Sequence, residues 1–215
     1  MLAAVGLASA STISFSGTIT SSNTPFTQDI QLSDFNSNWG TLTGVNISLA
    51  YSVTGSVSIF NSTGSSQSFT NASSSTPIVL TADGTFGSFP AGLQTSVNAV
   101  DTVGNGTIAS AAGPYGFTGA PVTGTLSIIP NSSLFVDFIC NGCTTPDNFE
   151  VNGNSGTYSG SSANGVFFSG GANAGGTVTI TYTYTSSTTP EPSTMALLGS
   201  ALVGLGLLRK RLSSK

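Results

Sequence analysis

The chain has 215 residues, with eight acidic side chains, four basic ones and no histidine. All four cations (Arg209, Lys210, Arg211, Lys215) fall in the last seven positions, so residues 1–208 carry eight acids and no Lys or Arg. That stretch cannot neutralise a phosphate backbone, which excludes nucleic-acid binding. It also supplies no imidazole to activate a Ser or Cys nucleophile and no lysine for a Schiff base.

The N-terminus, Met1-Leu2-Ala3-Ala4-Val5-Gly6-Leu7 followed by Ala8-Ser9-Ala10, has the small-x-small ending of a secretory signal peptide. It lacks a positive leader and its apolar stretch is short. Residues 1–10 are therefore read as the remnant of a signal whose true start lies upstream of Met1.

From residue 11 to 185 the chain alternates with period 2. Ile13–Ile19 puts Ile13, Phe15 and Ile19 on one face, and Phe26–Leu32 follows the same pattern. Val45–Val53 and Ser56–Phe60 read as two strands, and Ser66–Thr70, Pro77–Leu80, Thr95–Val100, Thr123–Ile129, Leu134–Ile139 and Gly165–Ser169 as shorter ones. Thr177–Thr185 is the clearest case: Val178, Ile180, Tyr182 and Tyr184 point one way and the threonines the other. Turn formers such as Asn61–Gly64, Gly104-Asn105-Gly106, Gly113-Pro114 and Asn152–Asn154 punctuate the pattern, and no helical period appears. The expectation is an all-β fold: one antiparallel β-sandwich ectodomain, jelly-roll-like or immunoglobulin-like, over residues 11–185, with a polar linker at 186–189. With no cations, its core has to rest on apolar packing and backbone pairing.

Four features of this region carry possible chemistry. Trp39, the one tryptophan, sits among Asn36, Asn38 and Gly40; an aromatic beside amides suits a sugar contact and equally a half-buried strand start. Cys140 and Cys143 form Cys-Asn-Gly-Cys. Two cysteines alone do not complete a zinc site, and the thioredoxin-type α/β context is missing, so an exported chain would pair them in a disulfide. Asp147–Asn154 gathers carboxylates and amides suited to calcium, but its spacing is not an EF-hand loop; it reads as a solvated loop, with calcium as the alternative and otherwise no cofactor. The remaining acids are scattered. Asp29 with Asp34, or Asp137 with Asp147, would have to converge for glycoside hydrolysis, and the reading is non-enzymatic.

The C-terminal segment has three parts. Pro190-Glu191-Pro192 excludes helix and leaves an extended, accessible tripeptide. Residues 193–208 are an apolar run of 16 residues, about 24 Å as a helix against a hydrocarbon core of about 30 Å. Arg209-Lys210-Arg211 then forms a basic stop that stays cytoplasmic, placing the preceding chain outside. A single transmembrane-type helix is thus expected, held briefly in the inner membrane.

This order, over Pro190–Leu212, resembles the PEP-CTERM sorting signal of Gram-negative bacteria. The resemblance implies export, processing near the tripeptide by an exosortase, and delivery to the cell envelope or extracellular matrix of organisms that make exopolysaccharide and biofilm. Residues 190–215 would be that signal. A second resemblance rests on Gln31–Phe35, Trp39–Val45 and the terminal strand at Gly176–Thr185: roughly residues 12–186 are similar to the choice-of-anchor E domain, an extracellular β-domain without assigned site residues. The expected role is that of a structural surface or matrix protein, with a carbohydrate-binding or adhesive module as the alternative.

Overall fold

The computed structural model describes residues 10–83, 93–141, 146–186, 198–205 and 209. The described residues of the ectodomain form a β-sandwich of two antiparallel five-stranded sheets. The strands are β1 (Ala10–Asn23), β2 (Phe26–Leu32), β3 (Phe35–Asn36), β4 (Gly40–Asn61), β5 (Gln67–Asp83), β6 (Gln94–Ile108), β7 (Tyr115–Thr118), β8 (Val122–Ile128), β9 (Ile139–Cys140), β10 (Asp147–Gly153), β11 (Thr157–Ser162) and β12 (Val166–Ser186).

Sheet A runs β1-β12-β4, with β7 and β8 end to end along the far edge of β4. Sheet B is built on β5, which has β6 along one edge and β10 and β11 along the other; β10 continues to β2. A two-residue parallel pair, β3 with β9, closes one end.

Strands read as separate are continuous. Val45–Val53 and Ser56–Phe60 are halves of the 22-residue β4, because Thr54 and Gly55 keep the alternation and β12 pairs through them. The segment read from Gly165 merges with Thr177–Thr185 into the 21-residue β12 in the same way. Two expectations are corrected. Leu134–Ile139 is not a strand; Ser132–Phe138 is a 3-10 turn that buries Phe138. Asp147–Asn154 is not a loop either, since Asp147–Gly153 is β10, paired on both edges by β2 and β5. Its amides and acids are the outward half of a strand whose inward half is Asp147, Phe149 and Val151.

The predicted faces hold. Val178, Ile180 and Tyr182 of β12 are fully buried, against Ile47 and Leu49 of β4 and, across the sandwich, Ile78, Leu80, Phe149 and Val151. A smaller core of Val57, Ile59, Phe69, Ala72 and Ile108 lies towards the other end. Between the two cores the facing residues turn polar: Ser74, Thr76 and Asp101 of sheet B are buried. Gly55 of β4 meets them; an ideal Cβ there would lie 1.9 Å from Ser74 Oγ and 3.6 Å from Asp101 Oδ2. Gly119, between β7 and β8, closes over the same carboxylate and donates its N–H to the Gly55 carbonyl at 3.0 Å.

Residues 198–205 of the C-terminal segment are helical. Among the described residues no helix is long and apolar enough to cross a membrane, so the expected span 193–208 is not present as a described helix.

Candidate functional site

The end of the sandwich from which the C-terminal segment departs brings together several residues singled out in the sequence. β12 holds its pairing to the last described residue, Ser186, which lies opposite Gly40 of β4. Gly40 has φ +145°, and an ideal Cβ there would be 2.1 Å from the Thr185 carbonyl oxygen, so only glycine lets the strands meet at this exit.

Trp39 stands beside it at the close of a 3-10 turn (Ser37–Trp39) that Asn36 caps by accepting from the Asn38 N–H. Its ring is half-buried, 6.2 Å from Phe15 and 5.5 Å edge-on from Phe35. Phe35 in turn packs on Tyr182 and Tyr184. Trp39 is thus a half-buried member of an aromatic cluster, stacked on Phe15 and edge-on to Phe35.

Cys140, at the end of β9, is buried and disulfide-bonded. Its sequence-expected partner Cys143 lies outside the described residues. So do Pro190, Glu191, Pro192, Lys210 and Arg211; Arg209 is described only as helical backbone with an exposed side chain.

The acids are arranged differently from either sequence pairing. Asp29 lies opposite Glu150 across β2 and β10. Asp34, in the link from β2 to β3, meets Asp147 at the start of β10: it accepts from the Asp147 backbone N–H and shares a second hydrogen bond with the Asp147 carboxyl. Burial pushes the Asp34 carboxyl above the ordinary carboxylate range, and these two hydrogen bonds only partly offset it. The Tyr182 hydroxyl donates to the Ser33 carbonyl at 3.1 Å. Burial first, then the negative charges of Asp147 and Asp34, hold its ionisation well above that of an ordinary tyrosine. Two carboxyls in direct hydrogen bond are closer than the roughly 5 Å or more that glycosidase pairs keep around a sugar. Asp147 is only 3% exposed and Asp34 is half-buried.

No three His, Cys, Asp or Glu side chains converge among the described residues. In β10 the strand alternation sends Asp147 inward and Glu150 to the other face, where Glu150 accepts from the Asn152 amide.

β12 ends two residues before a recognisable signal begins. Residues 188–211 match the PEP-CTERM protein-sorting motif. The motif indicates an exosortase-targeted protein and implies export to the cell envelope. The PEP-CTERM segment is thus joined, through a single intervening residue, to an interior strand of sheet A.

No curated protein matches the chain. Eleven chains of solved structures match. One, from Desmodium yellow mottle tymovirus, is 9% identical with a TM-score of 0.21 over 89% of this chain and 97% of its own. Another, from infectious bursal disease virus strain Gx, is 13% identical with a TM-score of 0.21 over 87% of this chain and 43% of its own. At such scores these likenesses bear on neither fold nor function.

A feature that sequence reasoning missed lies at the opposite end. None of the five strands of sheet A contains a charged residue. The acids that lie on strands, Asp29, Asp83, Asp101, Asp147 and Glu150, are all in sheet B. On the outer face of sheet A, Phe60 and Phe167 are cross-strand neighbours, 42% and 60% exposed; Tyr115, the register partner of buried Ile59, belongs to the other face. The charge partition follows from pairing between strands distant in sequence, which no local pattern encodes.

Proposed function

We propose that the protein is a non-enzymatic structural component of the cell surface or extracellular matrix, delivered by exosortase processing of its C-terminal signal and associated there with exopolysaccharide. The observation that carries this reading is the PEP-CTERM motif at residues 188–211, placed directly after the last strand of a β-sandwich. In lipid, residues 193–208 would close all their backbone hydrogen bonds as a helix, the one single-segment way to do so. Arg209, Lys210 and Arg211 would hold that helix transiently in the inner membrane. The ectodomain is read as a choice-of-anchor E domain on the Gln31–Phe35 and Trp39–Val45 segments, which structurally are the β2–β3 link and the exit cluster.

Intact-mass measurement of the protein from native cells tests the reading. A mature C-terminus near Pro190–Pro192 supports it; a membrane-retained chain ending at Lys215 refutes it.

A second reading, a carbohydrate-binding or adhesive module, is favoured by a specific observation. Its best residues are not Trp39, which is engaged with Phe15 and Phe35, but the aromatic side chains exposed on uncharged sheet A.

A further inference from the structure

We propose that the end of sheet A remote from the sorting segment is a docking surface for a neutral polysaccharide, with Phe60 and Phe167 as the stacking platform. The proposal deepens the second functional reading and rests on it.

The place of the surface comes from the register. Phe167 and Thr185 are 18 residues apart on β12, roughly 60 Å of extended strand. The sorting segment leaves beyond Thr185, so the aromatic end is the part of the domain presented farthest from the point of attachment.

The kind of partner comes from charge and surface chemistry. Phe60 and Phe167 are adjacent across the β4–β12 ladder, so their exposed rings form one contiguous apolar surface. Here the whole sheet around it lacks Asp, Glu, Lys and Arg, so neither a polyanion nor a polycation finds a counter-charge. Hydroxyls run along the same face in cross-strand rows. Ser16, Thr179, Ser48 and Ser127 are register neighbours over four strands, and Ser14 hydrogen-bonds Thr181 at 2.8 Å. Rings to stack on C–H faces, and neutral hydroxyls to exchange hydrogen bonds, complement a pyranose polymer.

The surface is also built rigid. Asn61 is fully buried directly after Phe60. Its amide nitrogen donates to the carbonyls of Ser65 and Ala109, both at 2.9 Å, and its oxygen accepts from the Thr63 N–H at 2.9 Å. Ser62 N–H reaches the Gly165 carbonyl at 2.8 Å, and Asn61 N–H the Ala112 carbonyl at 3.1 Å. The Asn61 side chain thus ties the turn after β4 to the segment after β6, and the Ser62 backbone adds the turn before β12. Such fixation lowers the ordering cost of binding.

The test uses the full chain in a polyoxyethylene detergent, in native affinity gels containing hydroxyethylcellulose, xyloglucan or galactomannan, with alginate as the acidic comparison. The expected result is retardation by a neutral polymer that persists in 0.5 M NaCl as an assay condition. The double variant Phe60→Ser/Phe167→Ser should weaken it by about tenfold or more, the scale of one or two lost aromatic contacts. Both rings are exposed, so the variant's denaturation midpoint serves as the folding control; the single variant Phe167→Ser, the more exposed of the two, stands in if the double one is unstable. Three results would overturn the proposal: no retardation by any of the neutral polymers, retardation that the variants leave unchanged, or a concentration-dependent dimer that the variants dissociate in the absence of glycan retardation. Retardation is read independently of C-terminal processing, so its failure is distinct from failure of the export reading.

Discussion

The polar waist between the two cores makes a quantitative prediction. An ideal Cβ on Gly119 would sit 1.5 Å from Asp101 Oδ2 and 2.2 Å from its Cγ, so Gly119→Ala forces either the carboxylate or the β7–β8 connection to move. The connection is held by the 3.0 Å hydrogen bond from Gly119 N–H to the Gly55 carbonyl. The carboxylate is 8% exposed. Overpacking at such a site costs about 1–3 kcal/mol. Asp101 Oδ2 takes no hydrogen bond in the fold, so Asp101→Ala removes a group that contributes little and should change stability by less than about 1 kcal/mol. In the double variant the new methyl occupies the space the carboxylate leaves. The two effects are then strongly non-additive, with a coupling energy of about 1–3 kcal/mol in the stabilising sense. Urea denaturation of the four proteins measures it; at a slope of about 2 kcal/mol/M, Gly119→Ala alone shifts the midpoint down by about 0.5–1.5 M. Additivity within about 0.5 kcal/mol, or a Gly119→Ala protein as stable as the parent, would show that the carboxylate does not constrain position 119.

Three further predictions concern the exit end. The raised Asp34 carboxyl keeps its proton in the folded state at pH values where the unfolded chain, near 3.8, has lost it. Its contribution is therefore complete below about pH 3.8 and declines as pH rises through the folded value. The melting temperature of Asp34→Asn should accordingly fall less over that window than that of the parent; parallel curves would refute the coupling. Trp39→Ala should cost about 2–3 kcal/mol, somewhat below the ~3–5 kcal/mol of a fully buried aromatic, while leaving glycan retardation unchanged. Lost retardation at unchanged stability would reassign the sugar contact to Trp39. Cys143→Ser should cost about 2 kcal/mol or less by chemical denaturation, because the expected Cys140–Cys143 bond would enclose so short a loop; a cost above about 4 kcal/mol would refute that pairing as a local staple.

Much of the fold was legible because alternation is a local signal. Val178, Ile180 and Tyr182 were read as one buried face from the order of residues alone, and they are buried. Length was not legible. Gly55 interrupts the apolar pattern of β4 with a residue that ordinarily weakens a strand, and only the carboxylate and hydroxyl facing it explain its presence there. The segment Leu134–Phe138 misleads for a different reason: Leu134, Val136 and Phe138 are spaced like one face of a strand, yet in the 3-10 turn Phe135 and Phe138 pack inward while Val136 stays exposed. Asn- and Asp-rich β10 resembles a loop because its outward positions hold Asn148, Glu150 and Asn152; central pairing by β2 and β5 overrides that preference. At the candidate sites, the sorting segment was legible whole, since its parts are contiguous. The Asp34–Asp147 contact and the uncharged sheet were not, because both arise from pairings between segments far apart in sequence.

The path from the sorting segment into the domain has a mechanical consequence. The segment continues β12, which is hydrogen-bonded to β1 on one side and to β4 on the other, and both partners run antiparallel to it. Inter-strand hydrogen bonds lie perpendicular to the strands. A pull between a ligand held at Phe60 and Phe167 and an attachment beyond Ser186 would act along the strand axes. The share taken by Phe167 would run along the β12 backbone, and the share taken by Phe60 would load the β4–β12 ladder in shear, with many bonds sharing the force at once, where an edge strand pulled sideways would release them one after another. The strong direction of sheet A is thus the line from Ser186 towards Phe60.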